Sequence, residues 1–253
     1  MKCLFHKIVF VGLILLADCK LMLAQEQIVH GINGNFEINS QFYKADSAIE
    51  APEVSEKMLN NAFMNVNYVN GNFRAGLRYE AYLNPILGFD ERYKGSGIPF
   101  RYAAYTKDAI DITVGNFYDQ FGNGLILRCY EERAIGLDNA LDGIRVGYKP
   151  AAGIYIKGMI GRQRDFFELS SGLLRGIDGD IQLNEAIDKL KDKKLQLGFG
   201  GSFVSKYEKD EDLVRNLPDN VASWAARTNL SYGKLSMNVE FAYKYKASPF
   251  LYI

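Results

Sequence analysis

The densest run of side chains able to do electrical work lies between residues 118 and 142. Arg128, Glu131, Glu132, Arg133, Asp138 and Asp142 stand there, among several glycines. Mixed charges at that density set a local field or a selectivity ring; they do not by themselves make or break bonds. Arg74, Arg78, Glu80 and Arg145 fall at alternate positions of extended segments, where a wall could turn them toward such a loop. The expectation is that 118–142 folds into the lumen of a barrel and forms a constriction with those four. The alternatives are an ordinary surface loop, or a strand pair in which LILRCY at 125–130 is one strand.

Bond-making chemistry finds little support. Asp178 and Asp180 share a strand face and offer two carboxylates for acid–base work, yet lining a wet wall explains them without chemistry. GNG at 122–124 lacks the Lys and the Ser or Thr of a phosphate loop and reads as a tight bend. EKDED at 208–212 lacks the spaced ligands and central glycine of a calcium loop, and reads as solvated. Neither an enzyme nor a cofactor or metal site is expected.

The elements that must hold these charges follow a period of two. In 32–42, Ile32, Gly34, Phe36, Ile38, Ser40 and Phe42 alternate with Asn33, Asn35, Glu37, Asn39 and Gln41. Side chains alternate across a strand, so one face is greasy and the other wet. The pattern returns at 61–69 and, across Asn70-Gly71, at 73–81; Asn-Gly between alternating runs is a strong hairpin signal. Further strands are expected at 99–107, 110–117, 143–149, 154–163, 176–184, 195–205, 221–231 and 235–245. About eleven strands result, many near the nine to eleven residues that cross a bilayer. AIDKLKDKK at 186–194 reads as a turn.

The N-terminus carries its own signal. Lys2, His6 and Lys7 precede an apolar run at 8–17, with a small residue at Ala24. That order is a secretory signal peptide cleaved after Ala24; the run is too short to span a membrane as a helix. A lipoprotein acylated at Cys19 fits poorly, because Asp18 precedes it. The domains are then 1–24, the signal peptide, and 25–253, the barrel. Removing 1–24 leaves 27 basic and 29 acidic residues, so nothing points to nucleic acid. Cys129 remains the lone cysteine and forms no internal disulfide. His30 remains the lone histidine, against His-based metal sites and Ser-His catalysis.

Alternation also suits a soluble sandwich or another exported soluble β protein. The links favour a membrane barrel. Tight turns (NGN, KD, PAAG, YGK) alternate with long links at 45–60, 83–98, 118–142, 164–175 and 206–220, with 185–194 intermediate. Outer-membrane barrels have short turns at one end and long loops at the other. Tyr68, Tyr79, Phe100, Tyr102, Tyr232 and Tyr245 are expected on the apolar face as interfacial girdles. Eleven is odd, whereas single-chain bacterial barrels have even strand numbers. The expectation is therefore a fragment of a larger barrel.

GNFRAGLRYEAYLNPILGF at 71–89, GNFYDQFGNGLILRCYEERAIGLDNALDGIRVGYKP at 115–150 and LLRGIDGD at 173–180 carry a resemblance. With the exported start, they resemble an uncharacterised family of Bacteroidota-type, porin-like outer-membrane β-barrels, a domain of unknown function. The resemblance implies an all-β, antiparallel up-and-down transmembrane barrel in the outer membrane, in a longer chain than this one. It implies no activity. The functions to weigh are a passive channel for small polar solutes, a structural barrel whose loops bind an envelope protein, and a soluble exported β protein. Such a barrel has outer-membrane lipid around it and needs the barrel assembly machinery to insert it.

Overall fold

Branched and aromatic side chains at every second position favour extended backbone, and the computed structural model shows how far this chain uses them. It describes residues 30–50, 56–209 and 218–245. The signal-peptide expectation for 1–24, with cleavage at Ala24, and residues 210–212 of the acidic stretch lie outside the described residues. In chain order the strands are β1 (His30–Phe42), β2 (Met58–Asn70), β3 (Phe73–Tyr82), β4 (Gly95–Lys107) and β5 (Ile110–Phe117). A small ribbon follows, β6 (Glu131–Glu132) with β7 (Leu137–Asp138). Then come β8 (Leu141–Ala151), β9 (Ile154–Asp165), β10 (Glu168–Gln182), β11 (Leu195–Tyr207), β12 (Asn220–Tyr232) and β13 (Leu235–Tyr245).

Eleven of these form one sheet in simple sequence order, from β1 to β13, with the β6–β7 ribbon apart. Every neighbouring pair is antiparallel. This is the up-and-down wall of a β-barrel. β1 and β13 are its edges, and among the described residues neither has an outer partner. Ten reversals separate them, so they run in the same direction.

The wall is strongly curled. β3 and β9 are four places apart in the sheet, about 19 Å if it were flat. Yet Arg164 of β9 bonds Glu80 of β3 at 2.6 Å, a gap the two side chains close only if the strands bend toward each other.

The two faces divide as the alternation requires. On the outer face Ile32 is 76% exposed, Phe36 65%, Ile177 54% and Phe241 58%, and Ile144, Ile156 and Ile160 lie beside them. On the inner face Glu80 is 1% exposed and Asp178 3%. A soluble sandwich buries its greasy set against a second sheet. Here the greasy set is outside and the buried charges are inside, the arrangement of a transmembrane barrel wall.

Several expectations change. The link expected at 164–175 is a tight turn at 166–167 followed by β10. A register shift between Leu169 and Leu173 breaks the alternation there and hides the strand. The link 183–194 holds a short helix, α1 (Leu183–Ala186), and a 3-10 turn at Asp188–Leu190. Tight turns and long links thus alternate at eight of ten connections, not all. Phe100 and Tyr102 leave the girdle for the inner face, where Phe100 stacks on Tyr118 at 5.2 Å and the Tyr102 hydroxyl donates to Asn67 at 3.4 Å. LILRCY is not a strand of the wall; only the isolated bridge Gln120–Arg128 forms there.

The outer face yields a test. An exposed Ile→Arg change on a water-facing surface alters stability by under about 0.5 kcal/mol. On a lipid-facing strand near mid-bilayer it costs about 2–4 kcal/mol. Ile144→Arg and Ile160→Arg should show the larger loss in urea titrations from lipid vesicles. Losses within the smaller range would mean that this face does not meet hydrocarbon.

Candidate functional site

The segment between β5 and β8, residues 118–140, leaves the wall and crosses the inner face. Apolar contacts seat it first. Phe121, Leu127 and Cys129 pack on Phe117, Leu141, Met159 and Val204, and Phe121 and Leu141 are fully buried. Gly176 makes room: a Cβ there would lie 2.7 Å from the Phe121 ring. The bend that delivers Phe121 uses Gly122 and Gly124, both at positive φ where glycine is least strained.

Ion pairs then fasten the segment on two sides. One cluster joins it to β1, β3 and β9. Arg78 bonds Glu80 at 2.6 Å, Glu131 at 3.0 Å, and Asp138. Arg164 bonds the same Glu80 at 2.6 Å and the same Asp138. Arg133 bonds Glu131 at 2.6 Å and reaches Glu37 of β1 at 3.2 Å. The Tyr82 hydroxyl donates to Glu80 at 3.1 Å, and the Arg78 guanidinium lies over the Phe100 ring at 4.9 Å. Three cations meet four carboxylates, and two arginines straddling two shared carboxylates form a nearly closed ring.

A second run of charge crosses the wall from β5 through β8, β9 and β10 to β12. Asp111 bonds Arg145 at 3.0 Å, and Arg145 approaches Asp119 at 3.5 Å. Lys157 bonds Asp119 at 2.5 Å and lies 3.8 Å from Asp178. Arg227 closes the run on Asp178 at 2.8 Å and Asp180 at 2.6 Å. Ser202 donates to Asp178 at 2.6 Å and accepts from Arg227 at 2.7 Å. The segment's tip extends to the far edge, where the Asn123 backbone N–H donates to Glu240 of β13 at 2.7 Å.

Above the first cluster sits an aromatic cap. Phe63, Tyr82 and Tyr93 pack with Phe89, Phe166 and Phe167. Phe166 and Phe167 come from the tight β9–β10 turn, which reaches back across the barrel mouth. A Cβ on Gly97 of β4 would meet the Phe167 ring at 3.3 Å.

Of the sequence-derived candidates, Arg78, Glu80, Glu131, Arg133 and Asp138 meet in the first cluster, and Arg145 joins the second. The others stand apart. Arg74 bonds Thr106 at 3.2 Å nearer the tight-turn end. Arg128 is exposed, its guanidinium over the Tyr130 ring at 4.5 Å. Glu132 accepts from the Ala134 N–H at 3.4 Å and caps a 3-10 turn. Asp142 lies on the other face, where it bonds Arg101 at 3.1 Å.

No pattern in the residues marks Arg164, which falls in an expected loop, or Asp119, which lies off the strands. Lys157, Asp111 and Arg227 sit at inward positions that alternation marks.

The arrangement fixes a mixed field across the lumen and holds a segment rigid within it. Burial pushes the Cys129 thiol up to about 12, with the Asp119 carboxylate adding to the effect, so Cys129 is a packed apolar group and not a nucleophile. Burial likewise raises the Tyr118 phenol.

Two outcomes follow. In a full chain carrying Cys3→Ser and Cys19→Ser, Cys129 should react with thiol reagents roughly a hundredfold more slowly when folded in micelles than when unfolded, as a buried, protonated thiol must. Fast reaction would place the segment outside the lumen. Arg164→Met strips one cation from two buried carboxylates and should cost about 3 kcal/mol, read as a lower temperature for loss of the compact gel band. An unchanged temperature would mean that water screens the cluster.

No curated protein matches the chain. Among solved structures, the Pseudomonas aeruginosa OccK2 (OpdF) complex with glucuronate matches at 10% identity and a TM-score of 0.37, over 84% of this chain and 63% of that one. The improved OccK1 (OpdK) structure from the same organism matches at 10% identity and 0.40, over 86% and 69%. A mutant Rh. blastica porin matches at 13% identity and 0.30, over 87% and 86%. The chain spans less than two thirds of the OccK2 chain's length. A family model matches residues 2–251, and the chain belongs to that family of unknown function, DUF6029.

Proposed function

We propose that this chain builds the wall of an outer-membrane channel that passes small polar solutes, with residues 118–140 as its constriction. The carrying observation is the reach of that segment. It bonds Glu37 on β1 through Arg133 and Glu240 on β13 through Asn123, so it spans the concave face from one edge to the other. A passing solute would move beside fixed charges of both signs, a setting that favours polar over apolar cargo. Residues 1–24 act as the cleaved signal peptide in this reading. Outer-membrane lipid surrounds the greasy face, and the barrel assembly machinery inserts the strands.

Closure is part of the proposal. Because β1 and β13 run the same way, they cannot pair antiparallel with each other. Hydrocarbon does not tolerate unpaired strand edges, so a fully antiparallel closure would place an odd number of strands from outside the described residues between them.

A second reading rests on the aromatic cap and the segment's dense packing: a non-conducting structural barrel whose loops bind an envelope protein. Neither reading assigns catalysis. Planar-bilayer recording of the complete gene product separates them. Steps of conductance that grow when residues 120–139 are replaced by a short glycine-serine link support the channel. Silence from both forms, with an envelope protein co-purifying, supports the structural barrel and overturns the first reading.

A further inference from the structure

Below the segment's tip, toward the tight-turn end, the inner wall holds a hollow that neither ion cluster enters. It is about 240 Å³ in volume, and its polar lining is Gln182, Gln196, Asn229, Ser231, Ser236 and Asn238, with the apolar Leu230 and Met237 beside them. Its floor is Gly198, where a Cβ would lie 2.6 Å from the Gln182 amide. The register explains the convergence. Gln182 faces Gly198, Gly198 faces Asn229, and Asn229 faces Asn238; one row down, Gln196 faces Ser231 and Ser231 faces Ser236. Four strands therefore bring amides and hydroxyls to two adjacent rows of one face.

The lining carries no formal charge, although Asp180, Arg227 and Glu240 lie just above it on the same strands. It is also under-used by the protein. Asn238 donates to Asn229 and accepts from Asn123 at 2.6 Å, and Gln196 donates to the Lys193 carbonyl at 2.7 Å. Among the described residues, the side chains of Gln182, Ser231 and Ser236 make no hydrogen bond. Each amide is both donor and acceptor, and each hydroxyl is either. Such a set matches a ligand that offers donor and acceptor on the same small groups at several points. A charged solute would lose hydration there and meet no counter-charge. An apolar one would leave the amides unpaired.

We propose that this hollow is a binding site for a neutral polyhydroxy solute of one sugar ring, deepening the channel reading on which it rests. No aromatic ring lines it, so stacking is absent and the affinity is millimolar, as suits a site that must release its cargo.

The test uses the complete chain folded in a detergent without sugar headgroups, titrated by calorimetry with glucose and, separately, with gluconate. Saturable glucose binding, with gluconate at least tenfold weaker, is expected. Gln182→Leu keeps the volume and removes the amide, and should weaken glucose at least tenfold. Ser231→Ala is a milder change that guards against misfolding, with the compact gel band as the check on both. Equal binding of gluconate, unsaturable heats, or full glucose binding in both variants overturns the proposal. Binding is read without conductance, so a silent bilayer with intact glucose binding sinks the channel reading alone, and a conducting pore without binding sinks this site alone.

Discussion

The structure depends on one electrostatic condition: charges turned away from water must cancel one another at contact distance. Arg78, Glu80, Asp138 and Arg164 are nearly inaccessible, and each touches at least two groups of opposite sign. An isolated carboxylate in such surroundings would protonate or refuse burial. Shared between two guanidiniums, it becomes a fixed joint between strands that are not neighbours. That joint holds the curl, and the curl in turn creates an inside for the segment 118–140 to occupy.

The segment is held by two unlike means. Phe121, Leu127 and Cys129 supply non-directional burial against the wall, while Arg133, Asp138, Asp119 and Asn123 supply directional bonds at separate points. Burial sets how deep the segment sits; the bonds set where along the lumen it lies. Attachment at both flanks leaves it little freedom to swing, unlike a loop tethered only at its ends.

Much of this was legible in the residues, and the exceptions have physical causes. The inward positions of Arg78, Glu80 and Arg145 follow from period two alone. Residues 164–175 do not read as strand because Ser170, Ser171 and Gly172 fall in the register shift, where alternation lapses. FRYAAY at 100–105 is apolar on both sides except at Arg101, so periodicity cannot choose a face for Phe100 or Tyr102. The contact of Glu80 with Arg164, 84 residues apart, depends on sheet curvature, which no local pattern encodes. Asp119 is fixed by the path of the inserted segment, and the hollow at Gly198 by the register of four strands. Charges on the wall and in the inserted segment could be foreseen; the part of Arg164 and Asp119 in pairing them could not.

The common heading of β1 and β13 also limits self-association. Two copies inserted the same way up present edges that all point alike, so any seam between them is a parallel one. A pair of copies therefore cannot seal into a larger antiparallel ring, however they rotate about the membrane normal. A segment that completed an antiparallel ring would enter at one leaflet and leave at the other, with its two ends on opposite sides of the membrane. That geometric polarity discriminates a true completing segment from a stray duplicate, and it does so through backbone direction alone.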